Sequence, residues 1–303
     1  MVSGYYNQIK NELLNNEVYK RVKDYSKNRN ELSTYYNVGK LLIEAQGGEE
    51  RAKYGDGLIK EYSARLVKEL GKGYTFTALS RMRQFYLLSE KIATVSQQLS
   101  WSHYCELLSI KDIDEINYYI GTAERYNLSV RELRERIKNK EYQRLDNNTK
   151  LKLINKEELG ISDTIKNPII IKNKLEIDKE NVSEKMLQKI ILEDIEGFMR
   201  ELGDSFSFIG SEYKIKINNA YNYIDLLLFN IKYNCYVVVE LKVTEVKKEH
   251  IGQTEVYMNY IDKHVKNITN DRTIGIIVAR RDNHYYIEYS SDKRIYTRDY
   301  ELV

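Results

Sequence analysis

The chain has 303 residues, of which 42% are hydrophobic and 31% charged, and its formal net charge is only +3. This length suits about two domains. No run of about 18 apolar residues occurs, which excludes a membrane-spanning helix, and the first residues, MVSGYYNQIKNELL, lack the apolar core of a signal peptide. We therefore expect a cytoplasmic protein.

The cysteines, the histidines and the charge distribution limit the chemistry further. Cys105 and Cys235 lie far apart in apolar contexts, so we expect reduced core residues rather than a disulfide or a zinc site. With only four histidines, we expect no histidine-rich metal site or catalytic triad. Residues 1–150 hold 25 Lys/Arg and 20 Asp/Glu, a net of +5, whereas residues 151–303 hold 23 and 25, a net of −2. The basic first half favours an anionic partner there.

The first half of the chain shows the periodicity of helices. Apolar residues recur every three or four positions, with few β-branched runs, in three segments: residues 5–27, 31–46 and 58–70. Gly71 and Gly73 break the third segment. In the following YTFTALSRMRQFYLLSE, the side chain of Thr77 can cap a helix that runs to about Ser89. We predict an all-α domain over residues 1–145.

A helix, a glycine turn and a second helix that carries Arg81 and Arg83 form the outline of a helix-turn-helix. An ordinary helical hairpin with solvated arginines gives the same pattern and is the commoner structure, so the pattern alone leaves both interpretations open. Further helices are predicted at residues 102–108, 111–126 and 129–139. In SWSHY, Trp101 and His103 are expected to pack and cap a helix, because no carboxylate or cysteine around them completes a catalytic mechanism.

Residues 146–183 are expected to link this domain to the next one. They are rich in Lys, Asn, Asp and Glu and contain the only proline, Pro168. The short apolar run from Pro168 to Ile171 is expected to pack on a neighbouring domain, so the linker need not be disordered.

From residue 184 onwards the sequence changes character. A helix is predicted over about 184–202, and Gly203 is a natural stop for it. Strand candidates follow, FSFIGSEYKIKI, YIDLLLFN and CYVVVELKV, then a helix at about 248–266, then the strand candidates TIGIIVAR and HYYIEYS. The order α-β-β-β-α-β-β predicts a second domain at 184–303, with a mixed central sheet and helices packed against it, and hence an α+β chain.

Charged residues interrupt two of these apolar strands. Side chains alternate across a strand, so Glu240 and Lys242 share one face and Leu241 points to the other. If YIDLLLFN and CYVVVELKV form a hairpin through a turn near residues 232–234, Asp225 comes close to Glu240 and Lys242. The three polar groups then cluster at one edge of the sheet.

Such a cluster suits metal-assisted chemistry. Two neighbouring carboxylates stay ionised together only beside a cation, and oxygen ligands select a hard ion such as Mg²⁺ or Mn²⁺. A nearby ammonium can position a water, and the set then suits hydrolysis of a phosphodiester. From the Glu-x-Lys triplet alone, a structural ion pair on a half-exposed sheet is the commoner explanation. The context favours chemistry, because Glu193 lies on the helix before the strands and Gln253 and Tyr257 lie one turn apart on the helix after them.

The order Glu193, Asp225, Glu240-x-Lys242, Gln253 resembles the core of the PD-(D/E)XK nucleases. More narrowly, the chain resembles the YhcG-like bacterial proteins, which join an N-terminal helical domain to such a nuclease domain. The resemblance covers most of the chain from about residue 31, through SRMRQFYLLSE, QLSWSHYCELLSI, LSVRELRERI, EGFMRELGDSFSFIG, YIDLLLFNIKYNCYVVVELKV, GQTEVYMNYID and TIGIIVAR. The triplet by itself is weakly specific, whereas the ordered set of segments is strongly specific.

The resemblance implies a helix-turn-helix-like domain followed by a restriction-endonuclease-like α/β domain. Asp225 and Glu240 would bind Mg²⁺ or Mn²⁺, Lys242 would orient the attacking water and stabilise the transition state, and Gln253 would support the site. No proline precedes Asp225. This departs from the family pattern, but the departure is common in the superfamily.

The resemblance also implies an acid on the helix before the strands. Glu193 is the match, with Glu196 and Glu201 as alternatives. The first domain becomes a DNA-binding or dimerisation module, in which phosphate contacts are expected from a set of arginines: Arg81, Arg83, Arg131, Arg134 and Arg136. Such contacts give salt-sensitive and largely sequence-independent affinity.

The chain is therefore expected to be a metal-dependent DNA endonuclease and a candidate for structure-specific cleavage. DNA is the expected partner, no membrane partner is expected, and a homodimer is a candidate assembly. DNA repair, recombination, mobile-element maintenance and phage defence all suit such an activity. The alternative is a catalytically silent scaffold that uses a nuclease fold to bind nucleic acid. The presence of every candidate catalytic residue counts against that alternative.

Overall fold

A computed structural model of the chain describes residues 2–21, 27–48, 56–92, 95–203, 205–281 and 292–303. The chain divides into two compact units, Met1–Tyr142 and Gln143–Val303. Across the described ranges, none of the helices has the length and apolarity that a membrane crossing requires.

The first unit is helical, as the periodicity of the sequence predicts. Its helices are α1 Val2–Arg21, α2 Lys27–Ala45, α3 Asp56–Leu70, α4 Phe76–Ser89, α5 Trp101–Leu107, α6 Ile113–Arg125 and α7 Val130–Lys138, with a 3₁₀ turn at Lys72–Tyr74. The turn follows Gly71, which has a φ of 104°. Glycine adopts this positive φ without strain because it has no Cβ. Thr75, rather than the predicted Thr77, caps α4 by accepting a hydrogen bond from the amide of Ala78 at 3.4 Å. The segment α3–turn–α4 has the predicted helix-turn-helix outline.

Helices α2 and α4 approach each other closely at Gly39. A Cβ at this position would lie 2.2 Å from the carbonyl oxygen of Met82 and 2.8 Å from the Cβ of Tyr86. Both atoms belong to the backbone or the root of a side chain, so neither can move away cheaply. By contrast, a Cβ at Gly121 on α6 would meet no atom within 4 Å.

Trp101 and His103 pack and cap helix α5, as predicted. The Trp101 ring lies 4.6 Å from the Tyr35 ring, measured between centroids. The Nδ1 of His103 accepts a hydrogen bond from the amide of Ser100 at 3.1 Å, and its Nε2 donates to the carbonyl oxygen of Leu128 at 2.9 Å. Both nitrogens of this histidine are therefore used by the fold.

The second unit combines helices with a sheet. Its elements are α8 Asn147–Asn155, α9 Ile161–Thr164, β1 Ile169–Ile171, α10 Glu184–Glu193, α11 Ile195–Leu202, β2 Phe206–Ile217, β3 Ala220–Asn230, β4 Cys235–Glu245, α12 Lys248–His264, β5 Ile274–Arg281 and β6 Ile295–Leu302. Strand β6 was not predicted from the sequence, and the predicted strand HYYIEYS, residues 284–290, lies outside the described residues.

The helix predicted over 184–202 is interrupted at Asp194, where φ is −135° and ψ is 53°. Asp194 ends α10 and begins α11. Its carboxylate lies so close to Gly197 that a Cβ added there would come within 2.5 Å of a carboxylate oxygen. Gly203 ends α11 with a φ of 120°, as predicted.

The described strands form one mixed sheet in the order β1-β6-β5-β4-β3-β2. The pairs β2–β3 and β3–β4 are antiparallel, whereas β4–β5, β5–β6 and β1–β6 are parallel. Apolar side chains of α10 and α11 cover one face of the sheet, and those of α12 cover the other. This arrangement confirms the predicted fold class, because helices can shield both faces of the parallel part of the sheet from water.

The segment expected to be a linker contributes to the second unit. Its strand β1 extends the sheet beside β6, and Ile169 and Ile171 are buried. Arg144, at the start of the unit, forms an ion pair with Glu201 on α11 and donates to the carbonyl oxygen of Pro168 at 2.8 Å. These contacts tie residues 143–171 to the sheet core.

Candidate functional site

Asp225 occupies the point where two antiparallel strands separate. Pairing between β3 and β4 runs from Asn230 opposite Cys235 to Leu226 opposite Val239 and ends there. One step further, the Oδ2 of Asp225 accepts a hydrogen bond from the amide of Leu241 at 2.8 Å. The carboxylate thus accepts a hydrogen bond from an amide that has no partner on the neighbouring strand at this point. This explains how an acid fits within an apolar strand.

Glu240 and Lys242 lie on β4 beside this fork. On its other edge β4 stays paired with β5, since Glu240 is opposite Ile277 and Lys242 is opposite Ala279. The Glu240 residue is 2% exposed, and its Oε1 has no hydrogen-bond partner among the described residues. Its Oε2 lies 3.5 Å from the Nζ of Lys242. The predicted clustering of Asp225, Glu240 and Lys242 is therefore present.

The acid that the helix contributes to this cluster is Glu184, not Glu193. The Oε2 of Glu184, in the first turn of α10, lies 3.6 Å from the Nζ of Lys242. Glu193 is exposed at the opposite end of the same helix, about 13 Å away at 1.5 Å per residue. The two alternatives are also elsewhere: Glu196 lies 3.7 Å from Arg200, and Glu201 pairs with Arg144.

Burial and mutual repulsion dominate the electrostatics of the cluster. Burial, with the neighbouring Asp225 charge added to it, raises the pKa of Glu240 from 4.5 to about 8. Burial likewise raises the pKa of Asp225, although the Leu241 hydrogen bond and Lys242 oppose the shift. Burial disfavours the charged form of Lys242, but the carboxylates of Glu240, Glu184 and Asp225 outweigh it and raise the pKa of the lysine. The cluster therefore holds more acid than its single ammonium neutralises.

Two other side chains that the sequence did not single out belong to the surroundings of the cluster. The Nε2 of Gln188, one turn after Glu184 on α10, donates to the backbone oxygen of Asp225 at 2.9 Å. Burial and the charge of Lys242 together lower the pKa of His250 at the start of α12. The sequence signal for Glu184 is its place directly after Ser183, whose side chain caps α10. An acid is favoured in the first turn of a helix for local reasons too, so position alone did not single it out.

Gln253 lies one turn beyond His250 on α12 and is exposed. Its Nε2 donates to the hydroxyl of Tyr257 at 2.9 Å, so the pair predicted to share a helix face is in contact. This contact orients the amide group of Gln253.

The arginines of the first unit have different environments. Arg81 and Arg131 are exposed, and the Nη1 of Arg83 lies 3.5 Å from the Oε1 of Gln46. Arg134 forms two hydrogen bonds with Glu106, at 3.0 and 2.7 Å.

Arg136 is only partly accessible. It lies 3.1 Å from Glu141, with its side chain 14% exposed. Intramolecular carboxylates thus already engage Arg134 and Arg136, whereas Arg81 and Arg131 face solvent.

Within the described ranges, no group of three or more His, Cys, Asp or Glu side chains converges as a ready-made metal cage. The free cysteines fit the expectation of reduced residues, with Cys235 buried and Cys105 half-buried. The oxygen donors at the fork are the carboxylates of Asp225 and Glu240.

Comparison with known protein families accounts for both units. Residues 14–144 match the DUF1016 N-terminal domain, and residues 162–302 match the YhcG PDDEXK nuclease domain. The chain thus carries a DUF1016 N-terminal domain followed by a YhcG PDDEXK nuclease domain. This confirms the resemblance drawn from the sequence and places a PD-(D/E)XK nuclease domain over the fork.

Two known proteins are similar to parts of the chain. The Escherichia coli (strain K12) protein named "Putative nuclease YhcG" is 29% identical over 286 residues, which cover 82% of this chain and 76% of that protein. The crystal structure of a repair endonuclease from Pyrococcus abyssi aligns with 39% of this chain and 47% of its own, at 18% identity and a TM-score of 0.29.

Proposed function

We propose that the second unit is a divalent-metal-dependent DNA endonuclease. The observation that carries the proposal is the strand fork, where Asp225 and the buried Glu240 stand beside the ammonium of Lys242. A nuclease domain acts on nucleic acid, and phosphodiester hydrolysis requires charge neutralisation at the phosphate and a positioned water. The fork supplies groups suited to both tasks.

The donor set fits a hard cation. Glu240 has a buried oxygen without a partner, and Asp225 is held in place through one oxygen only. Mg²⁺ in proteins is commonly bound through one or two carboxylates and keeps several waters, so Asp225 and Glu240 would suffice to hold it. When bound, the cation supplies charge neutralisation at the phosphate and lowers the pKa of a coordinated water.

The protein groups have separate roles in this proposal. The amide of Leu241 orients the Asp225 carboxylate. Glu184 and Glu240, at 3.6 and 3.5 Å, hold the Lys242 ammonium at the fork, where it can orient a water and stabilise charge on the phosphate. Gln253, oriented by Tyr257, would support the site from α12.

The first unit is proposed to bind the DNA backbone. Arg81 and Arg131 are the best candidates for phosphate contacts because they are exposed. Arg134 would first have to leave Glu106. Phosphate contacts of this type would be largely independent of base sequence.

Cleavage of supercoiled plasmid and of branched DNA tests the proposal. We expect nicking with Mg²⁺ or Mn²⁺, none with EDTA, and none in the variants Glu240→Gln and Asp225→Asn. Glu184→Gln should reduce the rate by about 10-fold or more, because Lys242 loses one of the carboxylates that position it. Glu193→Gln is the matched control on the same helix and should cleave as the wild type does.

Each alternative result has a defined meaning. Cleavage that persists in Glu240→Gln would refute the ligand assignment. Equal activity of Glu184→Gln and Glu193→Gln would remove Glu184 from the site. DNA binding without cleavage under any metal would favour the scaffold alternative.

A further inference from the structure

The hairpin formed by β2 and β3 carries lysines and tyrosines opposite one another next to the fork. The strand register places Lys214 opposite Tyr223 and Lys216 opposite Tyr221. The Nζ of Lys214 lies 3.8 Å from the centroid of the Tyr221 ring, and that of Lys216 lies 5.9 Å from it. These four side chains are called the Lys–Tyr face below.

The hairpin is anchored through its other face. Ile215 and Ile224 are buried at 1% and 0% exposure in the core that packs on α12. The backbone amide of Lys216 also lies 3.5 Å from the hydroxyl of Tyr260 on that helix. Because side chains alternate along a strand, anchoring one face on α12 turns the Lys–Tyr face away from the core.

The two rings of the Lys–Tyr face are unusually accessible for this protein. Tyr221 is 56% exposed and Tyr223 is 52% exposed, and every other tyrosine whose side chain the structure describes is more buried. A cross-strand contact between a lysine and a tyrosine helps to hold a hairpin together, but that role does not require two neighbouring rings open to water. Adjacent exposed rings are instead typical of a surface that binds a ligand.

The charge of the hairpin identifies the kind of ligand. Between Glu212 and Asp225 the sequence holds two lysines and no acidic residue, and three asparagines add polar groups. Ammonium groups contact phosphates, and aromatic rings stack on bases. A ligand that offers phosphates and flat rings together is a nucleic-acid strand.

The bases of that strand must be unpaired. In a duplex the faces of the bases are stacked on one another, and only their edges are accessible in the grooves. Stacking on tyrosine therefore requires a base that has left the helix. An intact duplex could use the lysines of the face but not its rings.

We propose that the Lys–Tyr face binds unpaired bases of DNA beside the scissile phosphate, so that the preferred substrate is DNA with a single-stranded stretch at the cleavage site. The proposal rests on the nuclease function proposed above. Tyr223 and Tyr221 precede Asp225 by two and four residues along β3. At about 3.3 Å per residue these are about 7 and 13 Å from Asp225, or about two and four nucleotides of a stacked strand at 3.4 Å each.

Binding measurements on the full chain test this proposal. Each variant carries Glu240→Gln to prevent cleavage, and two DNAs share one duplex sequence, one blunt and one with a single-stranded branch. We expect Tyr221→Ile with Tyr223→Ile to weaken binding of the branched DNA by about 10-fold or more and to leave the blunt duplex unchanged. Isoleucine keeps the strand propensity and removes the ring. Tyr221→Phe with Tyr223→Phe is the matched control, which keeps both rings and should bind both DNAs as the parent does.

The lysines give an independent measurement. Lys214→Gln with Lys216→Gln should lower the slope of log affinity against log salt by about 1.4 for single-stranded DNA, at about 0.7 per phosphate contact. An unchanged slope would count against the lysines as phosphate contacts.

Two results would overturn the proposal. Either Tyr221→Ile with Tyr223→Ile binds the branched DNA as tightly as Tyr221→Phe with Tyr223→Phe does, or it weakens binding of the branched and blunt DNAs equally. Equal melting temperatures of the two double variants would show that any loss of affinity concerns binding rather than folding. The nuclease proposal is judged separately, by cleavage in the protein without the Glu240→Gln change.

Discussion

Replacement of Glu240 by Gln should make the folded protein more stable at high pH while it abolishes cleavage. The folded chain raises the pKa of Glu240 from 4.5 to about 8. Between these values the folded protein holds a proton that the unfolded chain has already released. Its stability therefore falls as pH rises from about 4.5 to about 8 and then stays level. Gln cannot ionise, so the variant escapes this loss.

The magnitude follows from the size of the shift. A difference of about 3.5 pH units at 1.36 kcal/mol each corresponds to an upper limit of about 5 kcal/mol. Because the residue is 2% exposed, solvent screens little of this cost. The stability difference between variant and wild type should be close to zero near pH 4.5, grow by up to about 1.4 kcal/mol per pH unit, and level off above pH 8.

Urea unfolding at pH 5, 7 and 9 in EDTA measures this difference. Far-UV circular dichroism reports on both units, and the fluorescence of the only tryptophan, Trp101, reports on the first. The pH-dependent gain in stability of Glu240→Gln should appear in the circular dichroism, because Glu240 lies in the second unit. Glu193→Gln, at an exposed position, is the control for the replacement of a glutamate by glutamine.

Mg²⁺ provides a further test of the same reasoning. At pH 8 it should stabilise the wild type, because a cation compensates the ionised carboxylates, and should stabilise Glu240→Gln much less. A variant that is less stable than the wild type at pH 9, or a difference that is flat across pH, would refute the view that Glu240 is held in an unfavourable environment.

Three further predictions concern positions outside the fork. Gly39→Ala should destabilise the first unit by about 2 kcal/mol or more through overpacking, whereas Gly121→Ala should be neutral or stabilise it by up to about 1 kcal/mol, as thermal unfolding would show. Arg144→Met should destabilise the second unit by about 3 kcal/mol, because it leaves the Glu201 carboxylate, which is only 12% exposed, without a counter-charge; a loss below about 1 kcal/mol in urea titrations would contradict this. Arg81→Ala with Arg83→Ala should reduce the slope of log duplex affinity against log salt by up to about 1.8, and an unchanged slope would remove both from the DNA-binding surface.

Several features of this protein were determined by its sequence alone. The 3.6-residue periodicity of the first half and the apolar runs of the second specify helices and strands locally, so the two structural classes and most of their elements were predictable. The hairpin of β3 and β4 was also local, because its two strands are joined by a short turn. That is why the proximity of Asp225 to Glu240 and Lys242 followed from residue spacing.

Tertiary contacts decided the rest. Packing of α10 on the sheet brings its first turn beside β4, so the acid that reaches Lys242 is Glu184 and not Glu193 at the other end of the helix. Strand β1 has only three residues and gains its place from pairing with β6, far along the chain. In both cases the deciding interaction joins residues distant in sequence. Local propensity carries no information about such a partner, and only the packed sheet, which sets the position of each helix end, determines it.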